Sequence, residues 1–331
     1  MNIVFYLHPP VDLRPIYPSP VPIDLLNFSA GQEKNENIFS RNYDSFKEFF
    51  PDADFYAIDP CPKPVLFRLY EDLNILNLPT DSLFAKVFIF STFVVAHEMK
   101  TSTLFFPSYL NILPFEKFSA VLRDLFTDST LNQGLTFFSS SHDGPQDEYV
   151  LPGDLIIKKR SGSFFGLSKI LLPENYHLEK QKEPALRALG SAGVFHFNVV
   201  KLMKYFSEAS DDLQELFFLL VDAWKDNRSV NTAIRDVIAA LEGQSFFKMI
   251  ASLDDVLVGR IDGVFQYIKG LKDFRKYLPG DTEGNFIDGP VSLSNVRNSL
   301  IINRGTHTIN VDDMNGVCVL ADEQEIRIKG M

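Results

Sequence analysis

Residues 1–26, MNIVFYLHPPVDLRPIYPSPVPIDLL, decide how the rest of the chain is read. Asn2 to Leu7 is apolar and rich in β-branched and aromatic residues, the composition of a strand buried in a parallel sheet. A proline-dense loop follows, His8-Pro9-Pro10-Val11-Asp12-Leu13. It falls beyond the carboxyl end of a strand, where open α/β sheets hold their ligands. The stretch thus supplies a fold class and the place of a site, with His8, Pro9, Pro10 and Asp12 as its cleft loop.

Outward from there, strands and helices alternate. Ser45 to Phe50 reads as a helix end, and Asp54 to Ile58 as a strand closed by Pro60 and Pro62. Ser82 to His97 is so nearly continuous in apolar residues that period alone does not separate helix from strand, and its length favours a buried helix. Thr103 to Phe106 predicts a strand ending at Pro107. Phe115, Phe118, Val121, Leu122, Leu125 and Phe126 recur at helical spacing. Strands are expected over 134–139, 154–158, 164–171 and 193–197. Helices are expected from Ser210-Asp211 through Trp224 and from Val230 to Leu241, the latter stopped by Gly243. The alternation predicts an α/β fold with a central, largely parallel sheet.

The texture changes near Pro279. Turn signals at Asp281-Thr-Glu-Gly284, Asn303-Arg-Gly305 and Asp312-Asp-Met-Asn-Gly316 separate short strands at 299–303, 308–311, 317–320 and 325–328. The reading is a body over 1–278 and a small β module over 279–331 packed on it. No convincing internal repeat is visible.

The 331 residues, 45% hydrophobic, suffice for a large core. A net charge of -11 carries no footprint for nucleic acid or an anionic membrane. The most apolar stretch, Val87 to Ala96, is shorter than the ~20 residues of a membrane helix. The N-terminus lacks a basic region and a small-residue cleavage site. Cys61 and Cys318 lack metal-ligand spacing and read as buried apolar residues. A soluble, reducing, cytoplasmic setting is expected. The 31 phenylalanines include the pairs Phe105-Phe106 and Phe137-Phe138, which put one ring on each face of a strand. Most are core, and some second-face rings are candidates for a partner surface.

The order of these pieces resembles the sugar-nucleotide pyrophosphorylases, most closely the mannose-1-phosphate guanylyltransferases. The family opens with a strand, a G-G-x-G-x-R-L loop with a W-P-L-S continuation, and a P-K-Q-F-L element. Asn2 to Leu7, Arg14, Pro18-Ser19 and Pro22 to Leu26 occupy these places. Its P-x-D-H-x-I segment resembles Pro107-Ser-Tyr-Leu-Asn-Ile112, and its N-S-G-M-F strand resembles Ser191-Ala-Gly193-Val-Phe195. Its step into a C-terminal β region resembles Asp281 to Asn285 and Gly289. The resemblance implies a three-layer nucleotidyltransferase-like fold, Rossmann-like and of glycosyltransferase A type, with a mixed sheet flanked by helices.

The catalytic parts depart from the family pattern. Nucleotidyl transfer needs backbone N–H groups and cations around a triphosphate, and acidic residues on Mg²⁺. Here the glycine loop has become proline-rich, and Asp12 adds negative charge. The lysine of P-K-Q aligns with Ile23. The metal-binding Asp of P-x-D-H aligns with Tyr109, and the second one with Gln266, although a small shift places Asp262 there. Of the sugar-phosphate motif F-x-E-K-P, Lys169 survives. Arg14, Lys169 and Asp262 are therefore the candidate, vestigial ligand residues, no catalytic residue is identified, and Mg²⁺ is implied only for an active enzyme.

Other residues carry weaker signals. His8, His97, His142, His177, His196 and His307 show no ligand spacing. Ser139-Ser-Ser-His142-Asp143 holds triad residue types, but contiguous residues point apart, and a loop is the better reading. Three functions stay open: a degenerate nucleotidyltransferase homologue with a regulatory, structural or nucleotide-sugar-binding role, homo-oligomeric or bound to a protein partner; a divergent active transferase; and an unrelated binding module.

Overall fold

A computed structural model describes every residue except 18–19, 27–36, 62–65, 67–69, 71, 141–148, 183–187, 227–228, 254, 269 and 279. Pro18-Ser19, Pro62, His142-Asp143 and the expected boundary Pro279 lie outside the described residues.

The opening strand is β1 (Asn2–Tyr6), buried at every position. A two-residue-strand hairpin follows, β2 (Pro10–Val11) with β3 (Val21–Pro22). Next come α1 (Ile38–Phe49), β4 (Asp54–Asp59), β5 (Asn74–Asn77), α2 (Leu83–Ala96), β6 (Ser102–Pro107) and β7 (Leu110–Leu113). Then follow α3 (Phe115–Thr127), α4 (Ser129–Asn132), β8 (Leu135–Ser140), β9 (Tyr149–Lys158), β10 (Ser163–Leu171), α5 (Pro173–Lys182) and β11 (Leu189–Asn198). The body closes with α6 (Val199–Ala209), α7 (Asp211–Asp226), α8 (Val230–Leu241), α9 (Phe246–Ile250), β12 (Val256–Ile261), β13 (Val264–Tyr267) and α10 (Leu271–Tyr277).

A nine-stranded sheet, in the order β5-β4-β1-β6-β11-β8-β12-β10-β9, forms the middle layer. β1 lies parallel between β4 and β6, pairing Asn2 with Asp54 and with Thr103. The sheet is mixed rather than largely parallel, because β11 runs antiparallel to β6 and β8, and β10 to β12 and β9. β9 and β10 form a hairpin closed by Lys159 N to Gly162 O, a connection that needs no crossover helix.

Alternation along β1 sorts the two outer layers. Ile3 and Phe5 enter one core with α1 and α3, where Phe5 meets Phe39, Phe46 and Phe106 edge-on at ring separations of 5.4, 5.5 and 6.0 Å. Val4 and Tyr6 enter the other core with α2, α6, α7 and α8. The phenylalanine pairs divide as expected: Phe105 and Phe137 face α2's side, and Phe106 and Phe138 face α1's. α2 is buried around most of its circumference and starts where the Ser82 side chain accepts from Ala85 N.

The C-terminal region winds as a coil of β14 (Phe286–Asp288), β15 (Val291–Ser294), β16 (Leu300–Asn303), β17 (Ile309–Asp312), β18 (Val317–Ala321) and β19 (Ile326–Gly330). β14, β16 and β18 stack in parallel, β15 pairs parallel with β17, and β19 returns antiparallel on β18. The expectation of no repeat is corrected here. Val291 pairs with Ile309 and Leu300 with Cys318, each pair 18 positions apart (309 − 291 and 318 − 300). Left-handed backbone recurs at the same spacing, at Asn295 and Asp313 and at Asn298 and Gly316. The repeat hides because its corners exchange Asn, Asp and Gly, which share tolerance of that backbone region. Phe286, Leu300, Ile302, Cys318 and Leu320 join the core around Phe5, so the coil packs on the body.

Candidate functional site

Strand order reverses beside β1: β4 and β5 lie to one side, and β6, the next strand of the sheet in sequence, to the other. That is a topological switch point, and a crevice opens beyond the strand ends there. Tyr6 and Ser108 meet at these strand ends, where Ser108 N donates to Tyr6 O at 3.1 Å.

Below the crevice sits a chain of buried polar groups. Asp24, in the 3₁₀ turn Ile23–Leu25, is fully buried and touches the Ser108 hydroxyl through Oδ2. Burial pushes its carboxyl up to about 7 against the opposing hydrogen bond from Ser108. Ser108 has one hydroxyl hydrogen, and its Oγ also lies 3.0 Å from Tyr6 O, which only accepts. A protonated Asp24 satisfies both contacts: Asp24 donates to Ser108 Oγ, which donates to Tyr6 O.

Lys86, in the first turn of α2, is 2% exposed. Its ammonium lies 5.9 Å from the centre of the Tyr6 ring and makes no hydrogen bond or ion pair among the described residues. Burial lowers it to about 8, with Asp81 and Asp24 opposing. The Tyr6 hydroxyl continues the line by donating to Gly193 O at 2.7 Å. Gly193 has φ of +61°, and a Cβ there would stand 3.0 Å from that hydroxyl, so this position requires glycine.

A cavity of about 860 Å³ is lined by Pro9, Pro10 and Pro60, by residues 79–84 ahead of and within α2, by Ile238 of α8, and by residues 242–247 between α8 and α9. Its ionisable lining residues are Asp81 and Glu242, and no lysine or arginine lines it among the described residues.

The cleft loop is tied down rather than open. His8 Nδ1 lies 2.7 Å from Pro9 O, and its ring stands edge-on to Tyr109 at 5.2 Å. Asp12 takes a two-pronged contact from Arg14, Nε to Oδ1 at 3.0 Å and Nη2 to Oδ2 at 2.8 Å. Hydrogen bonding from Arg14 holds the Asp12 carboxyl well below the usual range. From β19, Arg327 approaches Asp12 Oδ2 at 3.3 Å and Lys329 Nζ donates to Asp12 O at 2.9 Å.

The three candidate ligand residues do not converge. Arg14 turns to Asp12. Lys169 on β10 pairs with Glu179 at 3.7 Å, and Asp262, 77% exposed at its side chain, with Arg260 at 3.4 Å. Ser163 pairs with Arg260, so Lys169 sits six residues away along β10, about 20 Å from the end that carries Asp262.

The positions aligned with the metal-binding carboxylates do come together. β13 pairs antiparallel with β7, Ile268 N donates to Tyr109 O at 3.1 Å, and Asn111 donates to Gln266 Oε1 at 3.1 Å. A phenol and an amide side chain stand there, and neither is the charged oxygen donor that Mg²⁺ takes. No cluster of three His, Cys, Asp or Glu able to hold a metal occurs among the described residues. These residues do not fit Mg²⁺.

Sequence reasoning missed Asp24, Lys86 and Ser108; a charged residue inside the apolar run 82–97 was the available signal for Lys86. His196, which shows no ligand spacing in the sequence, is a fully buried histidine whose Nε2 lies 2.9 Å from Ser102 Oγ. Cys61 and Cys318 are buried free thiols, each pushed up to about 12 chiefly by desolvation. No described helix is long and apolar enough to cross a membrane.

No family model matches the chain, and no curated protein matches it. Among solved structures it is similar to a mannose-1-phosphate geranyltransferase from Thermus thermophilus, at 12% identity over 99% of this chain and 94% of that one, with a TM-score of 0.72. It is also similar to a mannose-6-phosphate isomerase from Helicobacter pylori, at 9% identity over 80% of this chain and 99% of that one, with a TM-score of 0.55. At such identities a likeness speaks for the fold, and the fold is nucleotidyltransferase-like: a mixed central sheet between two helical layers.

Proposed function

We propose that the chain is a degenerate sugar-phosphate nucleotidyltransferase homologue, of the mannose-1-phosphate guanylyltransferase type, with a regulatory, structural or nucleotide-sugar-binding role. In this reading the body over 1–278 and the module over 279–331 act as one scaffold, homo-oligomeric or bound to a protein partner, in the cytoplasm. The observation that carries it is the cavity beyond β1. Prolines line its mouth, its ionisable groups are Asp81 and Glu242, and no cation lines it among the described residues. Stabilising a transferring phosphoryl group needs backbone donors, cations and metal carboxylates. Tyr109 and Gln266 at the metal positions point the same way.

A second reading, a divergent transferase making a nucleotide sugar of the GDP-mannose type, draws on Lys86, a buried ammonium beside the crevice without an ion-pair partner among the described residues. Calorimetric titration with GTP, GDP-mannose and mannose 1-phosphate, with and without Mg²⁺, separates the two, together with an assay of pyrophosphate release. The degenerate reading expects no Mg²⁺-dependent binding and no turnover. Mg²⁺-dependent binding with turnover would overturn it.

A further inference from the structure

A second hollow, of about 640 Å³, opens along α7 and the end of α8. Asp212, Glu215, Leu216 and Leu219 reach it from α7 at positions i, i+3, i+4 and i+7, the spacing of one helix face. Ala240 and Gln244 line it from the end of α8 and the turn after it, and alanine is too small to fill the space. Leu219 is 43% exposed and its neighbour Phe218 52%, so two consecutive large apolar side chains stand open on α7.

This hollow adjoins the cavity lined by Pro9, Pro10 and Pro60. Gln244 lines both, and its Nε2 donates to Ala240 O at 2.9 Å. The ionisable lining is of one sign throughout: Asp212 and Glu215 in the first, Asp81 and Glu242 in the second. No lysine or arginine lines either among the described residues.

We propose that this groove docks a segment of a partner protein that carries leucine-like residues and lysine or arginine at helical spacing. The proposal rests on the reading of the chain as a scaffold bound to a protein partner, and it gives that partner a place and a chemistry. Apolar side chains of such a segment fill the space beside Leu216, Leu219 and Ala240, and cations on its flanks meet Asp212, Glu215 and Glu242. Shape favours a chain segment over a compact molecule. From Asp212 to Leu219 the face runs about 10 Å along α7, and the second cavity adjoins it at Gln244. Charge disfavours nucleic acid and acidic lipid surfaces, which the four carboxylates repel.

The probe is a fluorescently labelled peptide of leucine and lysine patterned as an amphipathic helix, added to the full chain, with a leucine–glutamate peptide of the same length beside it. Fluorescence anisotropy is expected to show saturable, one-to-one binding of the first, weakening as salt is raised, and none of the second. Glu215→Lys and Ala240→Arg, each at an exposed position and shown folded by an unchanged thermal transition, should weaken binding by about tenfold or more. Glu174→Lys, the same charge change at an exposed position of α5 outside the groove, should leave it within about twofold. Hydrogen exchange of the complex should show protection over residues 210–219 and 240–244. Absence of saturable binding, or protection confined to other segments, overturns the proposal. So does equal weakening by Glu174→Lys and Glu215→Lys, which would reduce the binding to attraction by net charge. Neither peptide is a nucleotide, so this docking and the nucleotide reading fail separately.

Discussion

Asp12 and Arg327, 315 positions apart, meet with Oδ2 3.3 Å from Nη1, so the last strand of the chain holds the loop that follows the first. Arg14 grips the same carboxylate, and Lys329 the same residue's carbonyl. A loop in the place where the resembled family cradles phosphates is here a structural strap.

Releasing that strap should loosen the loop locally. For Asp12→Asn, faster amide exchange is expected over residues 8–14, with little change in the global melting temperature, since exposed ion pairs contribute little. The folded-state pKa of Asp12 is depressed, so its contribution is present at neutral pH and fades as pH falls below the ordinary carboxylate range. Unchanged exchange in the variant would contradict the strap.

Lys86 costs stability at neutral pH. Its value of about 8 against 10.5 when unfolded means that the unfolded chain binds more protons between those limits. Stability should therefore rise with pH across that window. Lys86→Met is expected to stabilise by about 1–3 kcal/mol at pH 7, read from urea midpoints. A destabilised variant would mean that the ammonium has a partner in solution.

Asp24 and His196 are expected to give opposite slopes in overlapping windows. The Asp24 carboxyl is raised from 3.8 to about 7, so its contribution is full below pH 4 and is lost as pH rises through 7. Burial lowers His196 from 6.5 to about 3, so the unfolded chain takes up the extra proton between those values and stability falls on acidification. Asp24→Asn should flatten the loss between about pH 4 and 7, and His196→Leu the loss between pH 6.5 and 3. Melting curves of both variants against pH check each sign.

Gly289 marks the coil's tightest corner. Its φ is +102°, and a Cβ there would stand 1.9 Å from Asn303 O. Gly289→Ala is expected to lose more than about 2 kcal/mol, because strained backbone and overpacking add. A loss under half of that in urea unfolding would show that the corner relaxes.

Much of this architecture was legible because burial leaves a local mark. The continuous apolar run 82–97 announced α2, and the Phe105-Phe106 pair announced a strand with both faces covered. The antiparallel strands were not legible as such: apolar runs report burial but not direction, and β11 lies beside β6 although 81 positions separate the end of one from the start of the other (189 − 107 − 1). The coil escaped because its repeat is carried by backbone conformation at Asn295 and Asp313, or Asn298 and Gly316, rather than by identical residues. Asp24 escaped because an acid among Ile23, Leu25 and Leu26 looks like surface until tertiary folding buries it.

The sequence by itself determined the α/β class and a loop after β1 that carries proline and neither glycine nor lysine, since each depends on residue identity and short-range spacing. Only the tertiary structure decided that Arg14, Lys169 and Asp262 stand apart, that Lys86 and Asp24 are buried beside Tyr6 and Ser108, and that Asp12 is held by Arg327. Those relations depend on how strands cross over and which edges meet, and local periodicity carries no record of either.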